Sequence, residues 1–567
     1  MTNTEENTTE DQSSKTINAS YDPMVGHPKR NAILAVMCLS LVVIVLDNSI
    51  LNVAIPTISD KLKTKDTDLI WIIDAYTIIF AGLLLTCGTI GDKFGRRLAL
   101  QTGLFIFGTA SFLSSFAQNP MQLTIGRAVM GIGGALIMPA TLSIITNVFP
   151  PKERGKAIGI WAAFAGVGVA IGPLTGGFLI EHFWWGSVFM VNVPFVVGGI
   201  IANSMMVPES KHEDATKLDI IGAALSIVGL SSLLYGIIFG ADTSFKESNV
   251  LIAFVIAFIS IISFFIWESK VDHAMLELHF FKDKRFSSGA LSITLLFFAM
   301  FGMSFLLSQY LQSVLGYSAL KSGVGFIPFA LGMIITAPSS AKVSAKIGTK
   351  STVLIGLSLV SVALFSMTTL EVGGTYLHVV WMMVLMSLGT GLTMAPATSA
   401  IMDSVPREKA GVGSAMNDTT RMIGGALGLA ITGSIFSSYY QNALDKDMKL
   451  SSLFTSMGKN GMNESTMKVL SNSISGSIGQ AIGTAKAYIN PSLVSDKSAQ
   501  AGINMIPKTE RDRIAATIID SSRHSFVHGL HAGVTVAGIA TLIGIVIAFI
   551  LMPQNSMSEN QEAGHAH

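Results

Sequence analysis

Five ionisable side chains stand inside long apolar runs of this sequence: Asp47 in VIVLDNSIL, Asp74 in WIIDAYT, Arg127 in LTIGRAVMG, and Asp418 with Arg421 in MNDTTRMIGG. A charge in such a run is costly and marks function by default. With a rise of ~1.5 Å per helical residue, Asp47, Arg127 and Asp74 reach heights of roughly 21, 20 and 22 Å above the same membrane boundary. Two carboxylates near one guanidinium leave a surplus acid, which a proton carrier requires. Asp47 is the first choice for that carrier, with a static salt bridge to Arg127 as the alternative. Asp74 lies nearer the outer boundary, where a solvated mouth residue is the competing reading. Asp418 lies roughly 12 Å in from the cytoplasmic side, one turn below Arg421. Their i,i+3 spacing permits an ion pair on one face.

These residues need a membrane scaffold to hold them. Half of the 567 residues are hydrophobic and 13% are charged, against roughly 25% charged in soluble domains. The mean hydropathy is +0.56. Fourteen apolar spans can be counted, the first near 33–55, the third near 98–117 and the last near 527–552. Many exceed the ~18 residues that suggest a membrane-spanning helix. The even count puts both termini on one side. About nineteen Lys and Arg flank that side, against about five in the short loops opposite, so both termini are expected in the cytoplasm. The net charge of +1 says nothing about nucleic acid; no basic patch is interleaved with aromatics, and no nucleic-acid partner is expected. Cys38 and Cys87 lie inside apolar runs and read as reduced packing residues.

The expected organisation is a disordered cytoplasmic tail (1–28, without a signal-peptide core), a six-helix bundle (29–206), a linker with two extra spans and an amphipathic surface segment near 268–287 (207–287), and a second six-helix bundle (288–552) with a cytoplasmic tail (553–567). Residues 438–526 form an outer connection, read as a small extracellular subdomain or a mobile flap. The six-helix unit repeats at offsets near 255 residues: GDKFGRR at 91–97 with SAKIGTK at 344–350, MPAT at 138–141 with APAT at 395–398, and PPKERGKA at 150–157 with VPREKAGV at 405–412. Parallel repeats of this kind are a transporter architecture, with the substrate site between the halves.

Two glycine patterns stand out. In GTIGDKFGRR (88–97), Gly91 and Gly95 permit a tight turn, while Asp92, Arg96 and Arg97 offer charges at the cytoplasmic face. In GVGVAIGPLTGG (166–177), Gly168, Gly172 and Gly176 recur every four residues and share one face, with Pro173 and Gly177 bending the same region. Such a bald face lets another helix approach closely.

The loop GTIGDKFGRR resembles the signature loop of the major facilitator superfamily, and LTIGRAVMGIGG its span-four motif. GVGVAIGPLTGG resembles the antiporter motif of span five, and LDNSILNVAIP (46–56) the span-one motif of the fourteen-helix drug/proton antiporter branch. The resemblance covers residues 30–552. It departs at Trp185-Gly186, where the family has Trp-Arg, and at Ala274, where it has proline.

The resemblance implies an all-α polytopic membrane protein of the major facilitator fold: two six-helix bundles plus two inserted helices, fourteen spans in all, in the cytoplasmic membrane of a bacterium. It implies proton-coupled efflux of lipophilic, cationic drugs or antiseptics by alternating access, as a monomer. Gly88, Gly91, Asp92, Gly95, Arg96 and Arg97, with the glycine face of span five, would gate the cycle. In this branch Asp418 becomes a candidate for cation recognition, a second protonation site or an internal ion pair with Arg421. Trp71, Tyr76, Trp161, Phe164, Met138, Phe305, Gln309, Tyr310 and Met394 could line a pocket through cation–π contact and soft packing. His524, His528 and His531 could sense external pH, although a surface face is the simpler reading. No Walker lysine motif and no nucleophile–base arrangement is present, so neither ATP nor enzymatic catalysis is expected. No cofactor and no metal is expected; the proton gradient would drive transport. The alternative is a dedicated exporter of one metabolite, antibiotic or lipid. A non-transporting sensor built around the outer loop is a more distant one.

Overall fold

A computed structural model describes residues 25–64, 66–211, 219–242, 244–271, 274–459, 464–493, 500, 503–504 and 506–554. Most of the expected tails lies outside the described residues. Residues 25–28 do not belong to a free tail. The His27 amide donates to the Val148 carbonyl at 2.9 Å, and Gly26, at φ +77°, lies against Pro150 where a side chain would collide.

Apolar runs of this length fold as helices because each satisfies its own backbone hydrogen bonds. The first half holds α1 (Arg30–Leu62), α2 (Asp66–Phe94), α3 (Arg96–Ser114), α4 (Pro120–Val148), α5 (Pro151–His182) and α6 (Asn192–Met206). Proline begins α4 and α5, where its missing N–H costs nothing. The inserted pair is α7 (Ile220–Asp242) and α8 (Ser248–Glu268). The second half holds α9 (Lys284–Gln309), α10 (Ile327–Ile347), α11 (Thr349–Ser366), α12 (Tyr376–Asp403) and α13 (Ala410–Asp445). Then come three short outer helices, α14 (Met448–Lys459), α15 (Glu464–Gly476) and α16 (Ile478–Ile489), and finally α17 (Lys508–Leu551).

Thirteen helices among the described residues are long and apolar enough to cross a membrane. The expected third span is not among them. It is α3, a helix of 19 residues that opens with two arginines and packs against α4 and α6. The repeat is visible in the backbone. Pro139 and Pro396 sit inside α4 and α12 at the same place in MPAT and APAT. Gly95 and Gly348 both adopt positive φ at the turn into the next helix.

One apolar core runs through both halves. α4 touches α1, α2 and α3, and α13 touches α9 and α17. The halves meet along α5 against α10 and α12, and along α13 against α2 and α4. The inserted α7 lies against both α2 and α13, with α8 outside it.

Two segments differ from expectation. Residues 268–287 do not form one amphipathic helix. The described part is a 3₁₀ turn, Leu278–Lys282, anchored by the buried rings of Phe280 and Phe286 at 5.9 Å, before α9 begins. The connection expected at 438–526 begins and ends within long helices. α13 continues to Asp445 and α17 starts at Lys508, running 44 residues. The polar first turns of α17 hide from an apolar count, yet Ile514, Ala515 and Ile518 are buried there. The short outer helices pack on this extension through Ile478, Ala481 and Ala485, and the Tyr440 hydroxyl donates to the Ile474 carbonyl at 3.0 Å.

Candidate functional site

Asp47 and Arg127 meet in the first half. Arg127 Nη1 donates to Asp47 Oδ2 at 2.5 Å, and both side chains are about 1% exposed. The other carboxylate oxygen accepts from Asn192 Nδ2 at 2.9 Å, and the same amide reaches Ser111 Oγ at 3.1 Å. Arg127 Nε donates to the Ile72 carbonyl at 3.3 Å and Nη2 to Asn48 Oδ1 at 3.4 Å. The guanidinium lies 4.4 Å from the centre of the Tyr76 ring. α1, α2, α4 and α6 thus converge on one charge pair. Both oxygens of the buried carboxylate are hydrogen-bonded, one to Arg127 and the other to Asn192.

Asp74 is buried as well. Ile72 and Tyr76, one turn apart, face Arg127. Asp74 falls between them on the opposite side of the helix and shares a face with Ile78 and Ala81. Those two pack on Leu234 of α7, beside Met422 and Ala426 of α13.

A second charged cluster forms around α13. Arg421 Nη1 lies 3.6 Å from Asp418 Oδ1, and both are nearly fully buried. Arg421 Nη2 donates to Thr398 Oγ1 at 3.3 Å, Thr398 donates to Asn417 Oδ1 at 3.0 Å, and Asn417 Nδ2 donates to Asp418 Oδ1 at 3.2 Å. The guanidinium lies over Trp161 of α5, 4.8 Å from the ring centre, and 5.3 Å from that of Phe297. Trp161 Nε1 donates to Thr141 Oγ1 at 3.2 Å. Arg421 therefore touches the opposite half.

The helix ends around Asp92 and Arg96 clasp the two halves together. Asp92 accepts from the amides of Gly411 and Val412 at 2.9 and 3.1 Å and from Arg96 Nε at 2.9 Å. Arg96 Nη2 reaches the Arg407 and Glu408 carbonyls across the interface. Gly88 faces the Gly411 backbone, where a methyl group would sit 2.5 Å from a carbonyl oxygen. Gly95, at φ +121°, also leaves room for Glu209, which accepts from the Arg97 amide at 3.2 Å. Gly91 meets nothing closer than ordinary contact, so crowding does not explain it. Arg154 and Asp403 add an ion pair between α5 and α12 at 3.6 Å.

The glycine face of α5 packs on α1, within one half. Gly168 lies against Val45, Gly172 against Ser49 and Gly176 against Ile50, on either side of Asp47. Pro173 and Gly177 face the other way, toward Gly323 and Leu320 of the second half.

The aromatic and Met residues do not gather into one pocket. Tyr76 belongs to the Asp47 cluster and Trp161 to the Arg421 cluster. Trp71 packs at a tilt against Tyr235 and Phe239 of the inserted α7. Tyr310 is buried and donates to the Glu371 carbonyl at 2.8 Å, tying the helical end of α9 to a loop of the second half. Met394 is buried, Met138 and Gln309 are half-buried, and Phe164 and Phe305 are exposed. His524 lies beside Asp520 and His531 beside the Leu370 carbonyl. Sequence reasoning missed Asn192, Ser111 and Asn48 as partners of the Asp47 pair. Their signal was the same one used for the charges, a polar side chain in an apolar run.

Residues 37–429 match the sequence profile of the Major Facilitator Superfamily. The chain belongs to that superfamily. Among its relatives, the multidrug efflux pump LfrA of Mycolicibacterium smegmatis is 32% identical over 413 residues, covering 73% of this chain and 82% of LfrA. The methyl viologen resistance protein SmvA of Salmonella typhimurium is 29% identical over 456 residues, covering 79% of this chain and 90% of SmvA. In fold, the chain is similar to a bacterial homologue of the lysosomal transporter Spinster in an inward-facing, unoccupied conformation, with TM-score 0.52, 17% identity and coverage of 93% of this chain and 98% of that one. This major facilitator is a transporter and not an enzyme, and a multi-pass protein of the cytoplasmic membrane.

Proposed function

We propose that this major facilitator exports lipophilic drug-like compounds, cationic ones among them, in exchange for protons. The likeness to LfrA supports drug export. The name of SmvA is tied to methyl viologen, a flat organic dication, and supports cationic cargo. The observation that carries the reading is the Asp47–Arg127 pair with Asn192 on the remaining carboxylate oxygen. A proton arriving on Asp47 removes the charge that compensates Arg127. The guanidinium then relies on the Ile72 carbonyl, Asn48 and the Tyr76 ring, and α1 is released from α4. Because the glycine face of α5 grips α1 on both sides of Asp47, a shift of α1 moves α5. α5 in turn carries Trp161 and the seam with α10. Proton binding is thereby linked to the packing between the halves, which is the element alternating access must switch.

The test uses protein in proteoliposomes with a pH-sensitive dye inside, an imposed ethidium gradient, and Asp47→Asn beside the wild type. Ethidium-dependent proton movement in the wild type alone supports the reading. Equal movement in Asp47→Asn moves coupling to another acid. Its absence from the wild type, with ethidium and with methyl viologen, refutes cation/proton exchange.

A further inference from the structure

The two buried arginines are held very differently. Arg127 has a close carboxylate partner, a carbonyl, an amide oxygen and a ring face. Arg421 is under-coordinated. Its contact with Asp418 is 3.6 Å, beyond hydrogen-bonding distance. Its Nε has no hydrogen-bond partner, and neither has Asp418 Oδ2. Asp418 is 1% and Arg421 4% exposed. Unpaired donors and acceptors are rare at such burial and call for an explanation.

The surroundings supply one. Trp161 and Phe297 present their rings to the guanidinium, Asp418 presents a free carboxylate oxygen, and Thr398 a hydroxyl. A flat cation with N–H groups, stacked on an indole beside a carboxylate, is what this site holds. Arg421 supplies that cation from within the chain. Trp161 comes from one half and Asp418 from the other, so the occupant also bridges the seam.

We propose that Arg421 is a resident cation, occupying a subsite for planar organic cations bounded by Trp161, Phe297 and Asp418, and that a substrate enters by displacing it. This rests on the reading of the chain as a cation exporter and adds a residue that sets its affinity. The displaced guanidinium repels the substrate once both share the site, which favours release. Cations without a flat face or N–H groups, such as tetraphenylphosphonium, use the subsite less well than ethidium.

The experiment measures ethidium binding by fluorescence polarisation to purified full-length protein in nanodiscs, with tetraphenylphosphonium as a competitor. Removing a desolvated cation–π competitor predicts that Arg421→Gln binds ethidium about tenfold more tightly than the wild type. The gain vanishes in Asp418→Asn/Arg421→Gln, and tetraphenylphosphonium gains less. Arg421→Lys keeps the charge but loses the flat face; it is expected to bind about threefold more tightly and serves if Arg421→Gln does not fold. Unchanged or weaker ethidium binding in a folded Arg421 variant overturns the inference and leaves the export reading standing. No binding of either cation by any form overturns both.

Discussion

Arg96 Nη2 lies 2.6 Å from the carbonyl oxygen of Arg407, on the other half of the bundle. The first residue of α3 thus caps the chain end that leads into α13. Asp92 orients that guanidinium while accepting two amides of the same helix start. Charged hydrogen bonds of this kind are worth about 1.5–3 kcal/mol each. Arg96→Ala is expected to slow ethidium efflux by about tenfold or more, the rate equivalent of one such bond. Its equilibrium binding should stay near wild type. Equal losses in binding and in efflux would show that the clasp shapes the site and not the cycle.

Gly172 and Gly177 make a matched pair. A methyl group on Gly172 runs into Ser49 of α1, including its backbone, whereas on Gly177 it meets the flexible end of Leu320. Gly172→Ala is expected to destabilise the protein by about 1–3 kcal/mol, as overpacking does elsewhere. Gly177→Ala should be close to neutral. Thermal unfolding in detergent, followed by tryptophan fluorescence, compares the two.

Trp71, expected to line a substrate pocket, packs on Tyr235 and Phe239. Trp71→Ala should lower the unfolding temperature, since a large aromatic truncation costs about 3–5 kcal/mol where the ring is well packed and less here, where Trp71 is 43% exposed. Ethidium affinity should not change. A fall in affinity without a fall in stability would return Trp71 to the binding site.

Tyr440→Phe removes the hydroxyl that α13 uses to hold the Ile474 carbonyl. The loss is expected to be about 1 kcal/mol. It should raise protease cleavage within the outer helices at unchanged transport by the membrane bundle. Unaltered proteolysis would mean that apolar packing alone secures the outer helices.

The Asp47–Arg127 pairing was legible because depth follows from a fixed rise per residue. The position of Asp74 was not, although its spacing of two from both Ile72 and Tyr76 carried the information. Depth gives height in the bundle and says nothing about the side of the helix. The contact of Arg421 with Trp161 joins residues 260 apart in sequence across the seam, and no local pattern encodes such packing. Tyr310 read as a pocket aromatic for the same reason. The two copies of the repeat, in contrast, announced both the internal prolines and the glycine turns, since each is a property of the local chain.

Thr141 and Thr398 hold the same place in MPAT and APAT, yet one receives the indole of Trp161 and the other the guanidinium of Arg421. The duplicated scaffold is symmetric, and its wiring is not. A chain assembled from two first halves would own two Asp–Arg centres and nothing to lay across the indole. One assembled from two second halves would own two loose guanidiniums with no indole beneath them. Only the unlike pair joins both centres through a single seam, so the halves of this duplication are no longer spare copies of each other.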